Sequence, residues 1–142
     1  MTIADLMSPE THVTGPDTTL AEAAVIMADN TIGFLPVAKK DRLIGMLTDR
    51  DIVVRGLAKG LQASSTVSEV MNREVLYCRA SDAPEDVAAN MAQNAVRRLP
   101  VLNDDKQLVG VVSLTDIADA ADSDAAGETL RAIKAEDELK AA

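Results

Sequence analysis

Two short stretches combine residue types that can hold a small polar ligand: Thr48-Asp49-Arg50-Asp51 and Ser113-Leu114-Thr115-Asp116. In each, a hydroxyl and a carboxylate lie three residues apart. On a helix that spacing sets both on one face, where they can converge on one group. An ionised carboxylate only accepts hydrogen bonds, which suits the paired hydroxyls of a ribose. Each stretch follows an apolar run, Leu43 to Leu47 or Leu108 to Val112. Each therefore reads as the end of a buried strand meeting the start of a helix. Free amides and the helix dipole point outward there and favour polar or anionic ligands. The same pattern is also a plain helix cap, because a Ser/Thr with an acid three residues on satisfies otherwise unpaired amides. Either stretch alone favours the capping reading, since short motifs recur by chance.

The elements that position these stretches occur twice. In the first half, Thr2 to Met7 reads as a helical lead-in ended by Pro9, and Thr11 to Thr14 as a short strand closed by Gly15-Pro16. Asp17 or Thr18 then caps a helix from Leu20 to about Asn30. Leu20, Ala23, Ala24, Met27 and Ala28 follow the 3.6-residue period there. Gly33 to Val37 is a buried strand, Lys39 to Arg42 a hairpin turn, Leu43 to Leu47 a second strand, and Asp49 to about Ala58 a helix stopped by Gly60. The second half restarts with Val67 to Met71, a strand Val75 to Cys78, and a helix from Pro84 to Asn94. It continues with strands Val96 to Leu102 and Leu108 to Val112 around the turn Asn103 to Lys106, then a helix from Ser113 to about Ala121.

The correspondence holds position by position. A shift of 64 takes Met7 to Met71, Met27 to Met91, Asn30 to Asn94 and Leu35-Pro36-Val37 to Leu99-Pro100-Val101. After one extra residue in the second turn, a shift of 65 takes Gly45 to Gly110, Asp51 to Asp116 and Ile52 to Ile117. An insertion confined to a surface turn is what a repeated fold tolerates. This period is too long for a solenoid unit and suits a tandem β-α-β-β-α module. The reading gives an α/β chain of α+β type. Its first domain is 1–60, its second 61–121, and an acidic, partly helical C-terminal tail is 122–142, with a helix over about Glu128 to Leu139. The linker Lys59 to Thr66 is small and polar, as a joint should be.

Composition narrows the function classes. Among 142 residues, 47% are hydrophobic, with one Phe, one Tyr and no Trp, so the core must be aliphatic. The formal net charge of −9 argues against general binding to nucleic acid or anionic membranes. The single cysteine, Cys78, excludes an intrachain disulfide, and no secretory leader is evident, so a reducing cytoplasm is expected. No apolar run approaches the ~20 residues of a membrane span. One histidine, His12, and one cysteine give no metal-ligand cluster, so no metal is expected. His12 reads as packed or exposed strand residue, Cys78 as a small buried hydrophobe, and the repeat-matched methionines as core.

Two copies of Leu-Pro-Val followed by Gly-h-h-[Ser/Thr]-x-x-Asp-Ile, in the same order, resemble a CBS-domain pair, or Bateman module. The resemblance covers about Thr2 to Ala121, and the chain is similar to small stand-alone bacterial proteins built from one such pair. It implies two CBS domains packed pseudo-symmetrically, with two clefts between them that in many members hold AMP, ADP, ATP or another adenosyl compound. It also implies a homodimer forming a disc of four domains, no chemistry of its own, and regulation of some other protein.

Carried over residue by residue, Thr48 and Asp51 hold a ribose in one cleft, and Ser113 and Asp116 in the other. The base at the Asp51 cleft then rests on Leu76, Tyr77 and Val96, and that at the Asp116 cleft on His12, Val13 and Ile32. Members that bind charged nucleotides place arginine just before Leu-Pro-Val. Here the second repeat has Arg97-Arg98 and the first has Gly33-Phe34. Arginine suits bidentate phosphate contacts. The resemblance therefore implies asymmetry: the Asp51 cleft takes a phosphorylated adenosine through Arg97 and Arg98. The other cleft offers only the Thr115 hydroxyl and helix-start amides. Strand faces alternate, so one of the two arginines faces the cleft and the other can pair with an acid. The expectation is a non-catalytic adenine-nucleotide sensor that signals by conformational change. The alternative is a ligand-free interaction or assembly module regulating a partner protein.

Overall fold

A computed structural model describes residues 1–9 and 12–120, and the chain divides into two compact units. One is the contiguous stretch His12–Val75. The other joins the N-terminal segment to the chain from Leu76 onward. The tail and the helix expected over Glu128 to Leu139 lie outside the described residues.

In the His12–Val75 unit, helix α2 spans Leu20–Asn30, strand β1 Phe34–Lys39, strand β2 Arg42–Thr48 and the short helix α3 Asp49–Asp51. The strands form an antiparallel hairpin with Leu35 opposite Leu47 and a bulge at Val37/Ala38. Lys40 and Asp41 make its two-residue turn, both at positive φ (52° and 63°). That geometry matches the right-handed twist of the flanking strands. Thr14 adds one parallel bridge beside Val37; of the strand expected over Thr11 to Thr14, Thr11 lies outside the described residues and this bridge is what the rest forms. Leu20, Ala23 and Met27 bury one face of α2 with Leu35, Val37, Leu47, Val67, Val70 and Met71. Ala24 and Ala28, expected on that face, are exposed. Thr19, rather than Asp17 or Thr18, caps α2: its Oγ1 accepts from the Glu22 amide at 3.1 Å. The linker is not a loose joint. The carbonyls of Ser65 and Ala63 accept from the amides of Leu20 and Ala21, satisfying donors that a helix start leaves open.

The other unit repeats this plan. Helix α1 is Ile3–Leu6, β3 Cys78–Arg79, α4 Pro84–Asn94, β4 Arg98–Leu102, β5 Leu108–Ser113 and α5 Leu114–Ala120. Strand β3 runs parallel to β4, and β4 is antiparallel to β5. Its core gathers Ile3, Val87, Ala88, Met91, Leu99, Val101, Val112, Leu114 and Ile117. The expected strand from Val75 therefore begins later, at Cys78. Helices α2 and α4 both end on a left-handed residue, Thr31 and Ala95, which correspond under the shift of 64.

The compact units cut the chain differently from the sequence repeats. The amides of Ile3 and Ala4 donate to the carbonyls of Asp82 and Ala80, and those of Val67 and Ser68 donate to Thr18 and Pro16. Ser8 pairs with Val111 on β5, and Asn72 pairs with Met46 on β2. Each lead-in segment thus belongs to the core of the other repeat. Glycine makes this possible. A Cβ at Gly45 would lie 2.8 Å from the Asn72 carbonyl oxygen, and one at Gly110 would lie 2.6 Å from that of Ser8.

Candidate functional site

Strand β2 ends at Thr48, whose backbone is still extended, and the next residue begins a helix. The Thr48 amide donates to Asp51 Oδ2 at 2.9 Å, and the Asp51 amide donates to Thr48 Oγ1 at 3.1 Å. In the other unit the Ser113 amide donates to Asp116 Oδ2 at 2.9 Å, and the Asp116 amide donates to Ser113 Oγ at 3.1 Å. Both motifs are reciprocal capping boxes with the same distances. Each box uses Oδ2 and leaves Oδ1 outside it. All four residues are half-buried, so their polar atoms stand at the surface of each unit. Asp51 Oδ1 also lies 3.9 Å from Arg55 Nη1, one helical turn on. The Asp51–Arg55 spacing of four was legible in the sequence as an ion-pair signal.

Each box is tied to the residue two before Leu-Pro-Val. The Asp49 amide donates to the Gly33 carbonyl at 3.0 Å, and the Leu114 amide donates to the Arg97 carbonyl at 2.8 Å. These equivalent places carry opposite chemistry. Beside Gly33 the Asp49 carboxylate is so close that a Cβ would meet its Oδ2 at 2.7 Å. Beside Arg97 the corresponding residue is the buried Leu114. One strand start carries a carboxylate and the other a guanidinium. Arg98 follows on β4 opposite Ser113. Both arginines are exposed.

The remaining candidates divide between the units. Thr48, Asp51, His12, Val13 and Ile32 belong to the His12–Val75 unit, and Ser113, Thr115, Asp116, Leu76, Tyr77, Val96, Arg97 and Arg98 to the other. Ile32 packs against the first core, while Leu76 and Val96 pack against the second. Val13, Tyr77 and Thr115 are exposed. A shallow concavity of about 530 Å³ lies at the β1–β2 hairpin, lined by Lys39, Lys40, Arg42, Leu43 and Ile44. It contains none of the motif residues.

The motif helices differ in a way the sequence did not announce. After Asp51 the chain winds as a π-helix over Ile52–Gly56, then a 3-10 turn over Leu57–Lys59, whereas α5 is regular. Gly56 is buried, and a Cβ there would lie 3.2 Å from Leu20 Cδ1. Such single-turn widenings are rare and concentrate at functional sites.

Comparison with known proteins places this geometry. The chain is 40% identical over 116 residues to the CBS domain-containing protein YhcV of Bacillus subtilis, covering 82% of each. It is also 40% identical over 119 residues to Hypoxic response protein 1 of Mycobacterium tuberculosis, again covering 82% of each. A crystal structure of Hypoxic Response Protein I with two coordinated zinc ions superposes with a TM-score of 0.76 at 39% identity, over 84% of this chain and 98% of that one. CBSX2 in complex with AMP matches with a TM-score of 0.73 at 26% identity, over 84% and 94%. The CBS domain pair of MJ0100, in complex with 5-methylthioadenosine and S-adenosyl-L-methionine, matches with a TM-score of 0.74 at 28% identity, over 84% and 94%.

The described residues do not fit a zinc centre. Among them no three His, Cys, Asp or Glu side chains converge as a metal would need. Burial, with a smaller effect from the Asp82 carboxylate, pushes the Cys78 thiol up from 9.0 to about 12, and the thiol donates to the Pro100 carbonyl at 3.7 Å. A metal needs the thiolate. With residues 3–57 and 67–123 each matching the CBS domain, and with the paired capping boxes at corresponding places, the chain belongs to the CBS-domain family.

Proposed function

We propose that the protein is a non-catalytic regulatory module that holds an adenosine-containing ligand through its two Ser/Thr-x-x-Asp motifs. The observation that carries this reading is their identical geometry: in both, a half-buried carboxylate is fixed by the box through Oδ2, with Oδ1 outside it. A carboxylate oriented in advance can accept the two hydroxyls of a ribose without losing further rotamer freedom. Solved relatives that hold AMP, 5-methylthioadenosine and S-adenosyl-L-methionine support the adenosyl class. In this reading Thr48 and Asp51 hold one ribose, with Leu76, Tyr77 and Val96 against its base. Ser113 and Asp116 hold the other, with His12, Val13 and Ile32 against its base and Thr115 at its polar end.

The ligand held by Asp51 is phosphorylated, as AMP, ADP or ATP, and Arg97 and Arg98 contact its phosphates. Ligand entry favours one packing of the domains over another, and a regulated partner protein reads the change. Such a shift can be no larger than the ligand's differential affinity for the two states.

Titration calorimetry with AMP tests this. Binding is expected for the parent protein, with loss in Asp51→Ala and weakening in Arg97→Ala. Unchanged affinity in both variants overturns the assignment. The second reading, a ligand-free assembly module, is favoured by the capping bonds themselves, which give both Ser/Thr-x-x-Asp pairs a structural role as helix caps. A thermal-shift panel of adenine nucleotides separates the two, because only a bound ligand raises the melting point by mass action.

A further inference from the structure

The turn between β1 and β2 gathers three cations, Lys39, Lys40 and Arg42, in a chain of net charge −9. All three are exposed. Lys39 and Arg42 stand opposite each other as the closing pair of the hairpin. Like charges so placed repel and weaken a strand pair. Lys40 adds a third charge from a left-handed position, at φ 52°, where Asn, Asp or Gly is the usual choice. Among the described residues no acid forms an ion pair with any of the three. The other unit closes its equivalent turn differently. Asn103 and Gln107 hold the places of Lys39 and Arg42, and their side-chain amides bond at 3.0 Å. Asp104 holds the place of Lys40. The fold therefore does not require cations at these positions. Together with the apolar Leu43 and Ile44, the three cations line the concavity of about 530 Å³ at this hairpin.

We infer that this concavity is the docking site for an acidic segment of a partner protein, one that carries an apolar side chain among its carboxylates. Lysine and arginine give carboxylates charge-assisted hydrogen bonds. Binding also relieves the repulsion between Lys39 and Arg42. Leu43 and Ile44 give the apolar side chain a surface to cover. A free inorganic anion would use the charges and leave that surface wet. A nucleic acid or an anionic membrane spreads its charge over a wide face, and the acidic remainder of the chain repels it. A short acidic segment meets the turn alone. The concavity contains no motif residue, and its test uses no nucleotide, so its failure leaves the adenosine reading untouched.

Fluorescence anisotropy of a labelled Asp-Glu-Leu-Glu-Asp peptide, titrated with the full chain at low salt without nucleotide, tests it. Saturable binding is expected. Lys39→Asn with Arg42→Gln transplants the neutral pair of the other unit. This double variant should weaken binding by more than about tenfold, while its thermal melt holds or rises because the repulsion is gone. A variant that merely damaged the hairpin would melt lower. Lys106→Ala, in the other unit's turn, should leave binding unchanged. Lys39→Glu, Lys40→Glu and Arg42→Glu together should pass the binding to a Lys-Arg-Leu-Arg-Lys peptide. No binding by the parent chain, or undiminished binding by the double variant, would overturn the inference. Displacement of the peptide by an equal concentration of inorganic phosphate or of a DNA duplex would overturn it too, by assigning the site to a free anion or to nucleic acid.

Discussion

Thr48 and Asp51 hold each other reciprocally: each residue's amide donates to the other's side chain, at 2.9 Å and 3.1 Å. The same carboxylate therefore serves the helix start and, in the proposed function, the ribose. The two duties can be separated. Asp51→Asn keeps an oxygen for the Thr48 amide and should stay close to parental stability, yet weaken AMP binding because the charge-assisted acceptor is gone. Asp51→Ala should lose both, with about 1 kcal/mol less stability in urea unfolding. Equal binding by the Asn variant and the parent would refute the ribose role while leaving the cap untouched.

The glycines at the strand crossings carry a second prediction. Gly45→Ala and Gly110→Ala each set a methyl group against a backbone carbonyl, at 2.8 Å and 2.6 Å, with a methionine sulfur nearby as well. Backbone cannot swing aside as a side-chain end can. Each variant should lose about 1–3 kcal/mol in chemical denaturation. Wild-type midpoints would show that the lead-in segments do not lie on β2 and β5.

Thr14 offers the opposite sign. Its side chain is buried at 5% exposure, and Oγ1 has no hydrogen-bond partner among the described residues. A buried hydroxyl without a partner costs about 1–3 kcal/mol. Thr14→Val keeps the shape and removes the polar atom, so the melting temperature should rise. A fall would mean that the hydroxyl is satisfied in solution.

Cys78 gives the pH prediction. Its thiol is held neutral by burial and titrates at about 12 in the folded chain, against 9.0 ordinarily. The folded state therefore keeps its proton where the unfolded state loses it. This contribution to stability is complete below pH 9.0 and is lost as pH rises toward about 12. Cys78→Ala should flatten that part of the pH–stability curve. At pH 8 a thiol reagent should label the native protein about a thousandfold more slowly than the unfolded chain, from ionisation alone.

Much of this architecture was legible because it is local and occurs twice. Leu35-Pro36-Val37, the Gly45-to-Ile52 stretch and their copies gave both hairpins and both helix starts. The one-residue insertion appears in the turn after Asn103, where that side chain accepts from the amides of Asp105 and Gln107. Three features were hidden. The strand before each helix is held by as little as one bridge, as at Thr14, too few pairs to leave a pattern. The π-turn after Asp51 ends at Gly56 beside Leu20, a neighbour far away in sequence that no local pattern announces. The exchange of lead-in segments rests on backbone hydrogen bonds, which any sequence can make. Its one written trace is the pair Gly45 and Gly110, where a side chain would block the crossing. Among the site residues, the paired motifs were plain, but the carboxylate of Asp49 beside Gly33 was not.

The exchange also makes the chain nested: His12–Val75 is an unbroken stretch set within a unit whose parts come from either side of it. During synthesis the inner unit can close as soon as it has left the ribosome. The outer one must wait, with Ile3 bare, until Asp82 has been made. Closing that loop of roughly 80 residues costs little extra free energy, since the cost grows only with the logarithm of length. The delay is one of time. Severing the chain between the sequence repeats would strand a lead-in segment from its core on both sides of the cut, so neither half would be a whole domain.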